Sequence, residues 1–148
     1  MRSKKKLIQS EENLSYLSKK LNSLCKFLDE LYDINSGGCC FISFCIANLL
    51  EQDNISYDIG IIDDYPENTL EEFDHSAYHV FLIINDDYDI NNESCDEYTT
   101  YSGSSLSLIQ YYNKVSGWNS VYDHSKNVYM KKLITNFYYD FTEDLRER

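Results

Sequence analysis

Leucine recurs at three- and four-residue intervals near the start of the chain, at Leu14, Leu17, Leu21, Leu24, Leu28 and Leu31. Residues spaced this way line one side of an α-helix, so the stripe predicts an amphipathic helix of about 20 residues ending near Tyr32. Ser10 stands at the N-cap position, and Glu11 and Glu12 follow it, where carboxylates complement the helix dipole. Lys19, Lys20, Asp29 and Glu30 fall off the stripe. Asp33-Ile34-Asn35-Ser36-Gly37-Gly38 breaks the pattern. From Cys39 to about Gln52 the apolar residues Phe41, Ile42, Phe44, Cys45, Ile46, Leu49 and Leu50 point to most sides of a second helix. A helix apolar all round is a buried one, so this is the expected central core helix, with the first packed against it.

The period then changes. Ile55 to Ile62 is rich in β-branched residues and predicts a strand. Asp63 to Ala77 is acidic, holds the only proline and reads as a loop, with one helical turn at Leu70–Phe73. Tyr78 to Asn85 is a near-continuous apolar run, as expected of a central strand. Asn85-Asp86-Asp87 turns the chain, and Tyr88 to Asn91 returns as its hairpin partner. That turn length places Asp89 opposite Ile83 and Asn91 opposite Phe81, both on the face that carries His79, with Asn91 nearer to it. The polar stretch from Asn92 to Ser105 allows a short strand around Tyr98–Tyr101. A third helix starts at Ser105 and runs to about Tyr112. After Gly117-Trp118-Asn119, Ser125 caps a last helix reaching about Phe141. Residues 1–8 read as a basic flexible tail and residues 9–148 as one domain. The order predicts an α+β fold: a buried helix on a small antiparallel sheet, flanked by N- and C-terminal helices.

Charge and cysteine usage narrow the function. The formal net charge of −12 works against nucleic acid and against an anionic membrane surface, both of which need Lys and Arg. It leaves room for a basic protein partner. The five cysteines are odd in number, Cys39 and Cys40 are adjacent, and none forms a CxxC pair. This speaks against a disulfide framework and a zinc site, and for a reducing cytoplasm with no cofactor or metal. The basic N-terminus has no apolar segment behind it, so it does not read as a signal peptide. No apolar run approaches the ~20 residues of a membrane span. The wealth of Asn, Asp, Tyr, Ile, Lys and Ser, with little Pro, Ala or Gly, is that of an AT-rich genome such as a phage or low-GC bacterium, which would place the chain in a host cytoplasm or a virion.

Three residues fall in an order that carries chemistry. Cys39 opens the buried helix, His79 opens the apolar strand about forty residues later, and Asp89, Asn91 and Asn92 follow that strand's turn. A thiolate is the nucleophilic form of cysteine, and a helix N-terminus or a nearby imidazolium lowers its pKa from about 8.5. His79 is the candidate base that takes the thiol proton and returns it to the leaving group. Asp89, or alternatively Asn91, would hold the other ring nitrogen. Unpaired N–H groups at the helix start would stabilise an oxyanion. Cys40 is the alternative nucleophile, and adjacent helical side chains point about 100° apart, so only one of the pair faces His79. His75 is the alternative base. Cys25 and Cys45 lie on apolar helix faces and read as core, Cys95 as a bystander, His124 as a surface residue and Trp118 as a packing anchor.

The stretch Gly37-Gly38-Cys39-Cys40-Phe41-Ile42-Ser43 resembles the G-[SG]-C-[aromatic]-x-x-[SA] signature at the nucleophile of papain-like cysteine proteases, with the aromatic residue one place late. The segment from His79 to Asp89 is similar to the His…Tyr-Asp pattern of small transglutaminase-like proteins, in which the final Asp orients the His. Order and spacing over residues 36–92 thus resemble the papain-like superfamily, including its transglutaminase-like and NlpC/P60-like branches. The resemblance implies a papain-like core with a Cys39–His79–Asp89 triad. The glutamine that completes papain's oxyanion hole has no counterpart here, and Asn35 or Ser36 would take its place. It implies a cysteine hydrolase or acyltransferase that acts through a thioester on an amide, isopeptide or ester bond of a protein or peptide-like substrate. The alternative is a papain-like fold without catalysis, serving as an acidic binding or virion-associated protein. An acidic DNA mimic is a third, weaker reading.

Overall fold

The leucine stripe forms helix α1 (Glu11–Tyr32) in the computed structural model, which describes residues 5–32, 39–62, 79–92, 98–116 and 124–147. Ser10 caps it, its Oγ accepting from the Asn13 N–H at 3.1 Å. Leu14, Leu17, Leu21, Leu24 and Leu28 are buried, but Leu31 is 57% exposed. Alternating three- and four-residue steps average less than a helical turn, so the row rotates off the packed face by its far end.

Helix α2 (Cys39–Gln52) has the expected bounds and the expected burial on most sides. It packs against helix α3 (Ser105–Ser116), helix α4 (His124–Thr142) and strand β2 (His79–Ile84). α1 was expected to pack on α2; its main contacts are instead with α4 and with strand β3 (Tyr88–Ile90). Tyr88 Oη donates to Glu11 Oε1 at 2.8 Å across that second contact. α3 continues beyond Tyr112 to Ser116, and α4 begins at His124, so Ser125 sits inside the helix and is not its cap.

Strand β1 is Tyr57–Ile62 and β4 is Thr99–Tyr101, giving an antiparallel sheet of order β3-β2-β1-β4 with β2 and β1 central. Asp89 pairs with Ile83, the register that the three-residue turn dictates. Strand alternation then separates two faces. Val80, Leu82, Ile84, Ile59 and Ile61 join the helices in the main core. Ile62, Phe81 and Ile83 form a smaller cluster on the other face, which also carries His79. Gly60 is needed there: it pairs with Phe81, and a Cβ would lie 2.4 Å from that ring.

Leu7, within the stretch read as a flexible tail, is 1% exposed and bridges to Arg146. The chain ends are joined further by Ile8 N–H to Leu145 O at 3.2 Å and Glu147 N–H to Lys6 O at 2.8 Å, beside a 3-10 turn at Glu143–Leu145. Among the described residues, no helix is long and apolar enough to cross a membrane.

Candidate active site

The N-terminal end of α2 meets the start of β2. Cys39 and Ser43 lie one turn apart on α2, and both reach the main chain of Val80. The Val80 N–H donates toward the Cys39 sulfur, and Ser43 Oγ donates to the Val80 carbonyl at 3.2 Å. Cys39 is thereby held against the residue that follows His79. Cys40 turns away, its Sγ donating to the Leu108 carbonyl of α3 at 3.5 Å. The helical divergence of adjacent side chains thus sorts the pair: Cys39 faces the sheet and Cys40 faces α3.

A helix start was expected to lower the Cys39 pKa. Burial instead pushes this thiol up, although the N–H groups of Val80, Cys40 and Cys39 itself all favour the thiolate. Desolvation of the charge outweighs those three dipoles, because the residue is only 6% exposed. Cys40 is raised well above the ordinary thiol value by burial and then by the charge of Cys39. Burial pushes Cys45 up to about 12, against a smaller opposing effect of Lys131. Cys25 and Cys45 are buried core residues, as their helix faces implied.

His79 is half-buried, and its Nε2 meets the main-chain carbonyl of Asn91. A carbonyl only accepts, so Nε2 carries the hydrogen and Nδ1 carries the lone pair of the neutral ring. The ring stacks on Phe81, with centroids 5.9 Å apart and planes at 21°. Phe81 in turn lies over Gly60 and meets the edge of Tyr98 at 5.0 Å, which fixes the surface beneath the imidazole.

The contact with His79 expected of Asp89 is made by Asn91, through its main-chain carbonyl and not a carboxylate. Level with Ile83, Asp89 stands four residues up β2 from His79, roughly 13 Å along the strand. Its Oδ2 accepts from Asn92 Nδ2 at 2.9 Å. Asn91 is 2% exposed and has φ 70°, a left-handed conformation that Asn tolerates better than most residues and that turns the chain out of β3. That turn is pinned by Asn22 of α1, which the sequence reading did not single out. Asn22 Nδ2 donates to the Asp89 carbonyl and Asn22 Oδ1 accepts from the Asn91 N–H, each at 2.7 Å. The available signal was a polar side chain at the edge of the leucine stripe, one turn from buried Ser18 and from Cys25.

The candidate oxyanion donors Asn35 and Ser36, the Gly37-Gly38 turn, the acidic run through His75, Cys95 and Trp118 lie outside the described residues, as does the side chain of His124. Among the described residues no three His, Cys, Asp or Glu side chains gather as a metal site would require. What the arrangement offers is a thiol ringed by backbone donors against Val80 and, one residue earlier on β2 but on the other face of the sheet, an imidazole whose Nε2 is committed to the Asn91 carbonyl. No protein-family model, curated protein or solved structure matches the chain.

Proposed function

We propose that this chain is a cysteine-dependent hydrolase or acyltransferase of papain-like architecture, with Cys39 as nucleophile, His79 as base and Asn91 as its orienting partner. The observation that carries the reading is the convergence at Val80: its amide reaches Cys39 while the adjacent His79 is fixed through Nε2 by the Asn91 carbonyl. Burial pushes the Cys39 thiol up, so the resting sulfur is a thiol and not a thiolate. For the S–H proton to reach His79 Nδ1 as sulfur bonds to the substrate carbonyl carbon, the ring has to turn from the Phe81 face toward Cys39. The oxyanion forms beside the start of α2, where the Cys39 and Cys40 N–H groups supply positive dipole. The imidazolium then protonates the leaving nitrogen or oxygen, leaving a thioester. Water or an amine, deprotonated by His79, attacks that thioester and returns the thiol. Peptide or protein amides suit this chemistry, and the −12 charge suits a basic one. Cys25, Cys39, Cys40 and Cys45 stand as thiols, which suits a reducing cytoplasm.

The burial of Cys39 favours a second reading, a binding protein on the same fold with an unreactive thiol. p-Nitrophenyl acetate separates the two. A catalytic Cys39 gives a burst of nitrophenol and an acetyl group mapped to Cys39 by mass spectrometry, both lost in His79→Ala. Acetylation that is absent, or that is spread over several cysteines regardless of His79, rejects the enzyme reading.

A further inference from the structure

Helices α1 and α4 run antiparallel, with Tyr32 of one meeting Tyr129 of the other edge-on at 6.4 Å. Between them lies an open groove of about 560 Å³ whose lining includes Leu24, Phe27, Phe137 and Phe141. Lys20 and Asp140 stand at one end of it. Phe27 and Phe137 remain 47% and 40% exposed, and Leu31 beyond them 57%. Such a row of large apolar side chains is unusual on a face that meets only water.

The charges along α1 indicate what covers it. Lys19 and Lys20 precede the helix centre, and Asp29 and Glu30 follow it. Lys20 and Glu30 are equally far from residue 25, as are Ser23 and Phe27. A second α1 laid antiparallel about a two-fold axis at that point sets Lys20 of each copy against Glu30 of the other. The same axis sets each Phe27 ring over the small Ser23 of the second copy. A partner of one charge sign would satisfy only half of this face, whereas an inverted copy satisfies both halves. We infer that the α1–α4 face is the self-complementary interface of a two-fold symmetric homodimer, packed as four helices.

Sedimentation velocity over a wide concentration range tests this on the full chain. The wild type is expected to pass from monomer to dimer. Lys20→Glu and Glu30→Lys should each weaken dimerisation roughly tenfold, since two ion pairs become two repulsions. Mixing those two variants should restore a heterodimer, because each then meets the opposite charge on the other. That recovery also shows that both variants fold. Phe27→Ala should weaken the dimer by roughly thirtyfold or more, as loss of a central aromatic anchor does. A wild type that stays monomeric throughout overturns the inference and leaves the face to a different protein or to solvent. A dimer indifferent to the charge variants, or one that mixing does not restore, overturns it as well.

Discussion

The two ends of α2 handle polar groups in opposite ways. At the C-terminal end, Glu51 accepts from Ser105 N–H at 2.9 Å, Ser105 Oγ at 2.6 Å and Tyr57 Oη at 2.7 Å. Just past that end, Asp53 takes both arms of Arg146, at 2.8 and 3.1 Å, together with the Tyr138 hydroxyl. The Arg146 guanidinium also lies over the Tyr139 ring at 5.0 Å. Carboxylates answer these donors, and what is held is the chain itself: the start of α3, α4 and the two termini. At the N-terminal end, Cys39 and His79 are answered by main chain, by the Val80 amide and the Asn91 carbonyl. A backbone amide or carbonyl does not titrate near neutral pH, so it holds its partner without taking up or giving a proton. One end of α2 is closed by its polar partners, and the other is where the proposed chemistry would act.

If that division is right, damage at the two ends separates chemistry from stability. The largest effect is expected from Cys39→Ala. It should abolish acyl-enzyme formation, a loss of at least about a thousandfold in rate, for a cost of about 1 kcal/mol in stability. Cys40→Ala should keep the burst, because that thiol faces α3. A burst that disappears with Cys40 and survives without Cys39 would reverse the assignment. At the other end, Arg146→Ala strands the Asp53 carboxylate, in a pair whose side chains are only 6% and 10% exposed. It should cost about 3–5 kcal/mol, read as a fall in the urea midpoint. The fraction that remains folded should acylate at the wild-type rate.

Next in size is Asn22→Ala. It removes both hydrogen bonds that pin the left-handed turn at Asn91, so the Asn91 carbonyl is no longer fixed over His79 Nε2. Misplacing a base by a fraction of an ångström should slow acylation roughly ten- to a hundredfold. Stability should fall by only about 1–2 kcal/mol. The diagnostic reading is the His79 ring chemical shift followed by NMR at one pH, which should move in Asn22→Ala and stay in place in Arg146→Ala. Equal movement in both variants would mean that the two ends of α2 are not independent.

Local pattern made the elements legible, and it made the site legible only where the elements carry it. The bounds of α2 follow from a glycine break and an apolar run, and the pairing of Asp89 with Ile83 follows from turn length and strand period. Both depend on neighbouring residues. The exchange of Asp89 for Asn91 turns on one residue leaving the strand with positive φ. Its cause is Asn22, 69 positions away in sequence, which no periodicity announces. The sign of the Cys39 shift was missed for a related reason. A helix start is visible in sequence, but the burial that outweighs it comes from packing against β2 and the core. The anchoring of Leu7 beside Arg146 likewise joins segments from opposite ends of the chain.

The smallest effect lies at Glu51. Burial pushes its carboxyl up, but hydrogen bonds from the Ser105 hydroxyl, Tyr57 and the Ser105 N–H outweigh this, leaving it below its ordinary value of 4.5. A carboxylate with a lowered folded pKa binds protons less readily in the native state than in the unfolded one. Its contribution is therefore fully present above about pH 4.5 and is lost as the pH falls through the lower folded value. Much of Glu51 is exposed, so solvent screening keeps the contribution below about 1 kcal/mol. Glu51→Gln keeps the shape, but it sets an amide donor against groups that are themselves donors, and it does not titrate. The variant should melt a few degrees lower than wild type at pH 7. The two melting curves should converge as acid protonates Glu51, while nitrophenol burst amplitudes at neutral pH stay equal. A gap in melting temperature that persists at low pH would place the interaction in packing and not in charge. A change in burst amplitude would show that the closed end of α2 communicates with the open one.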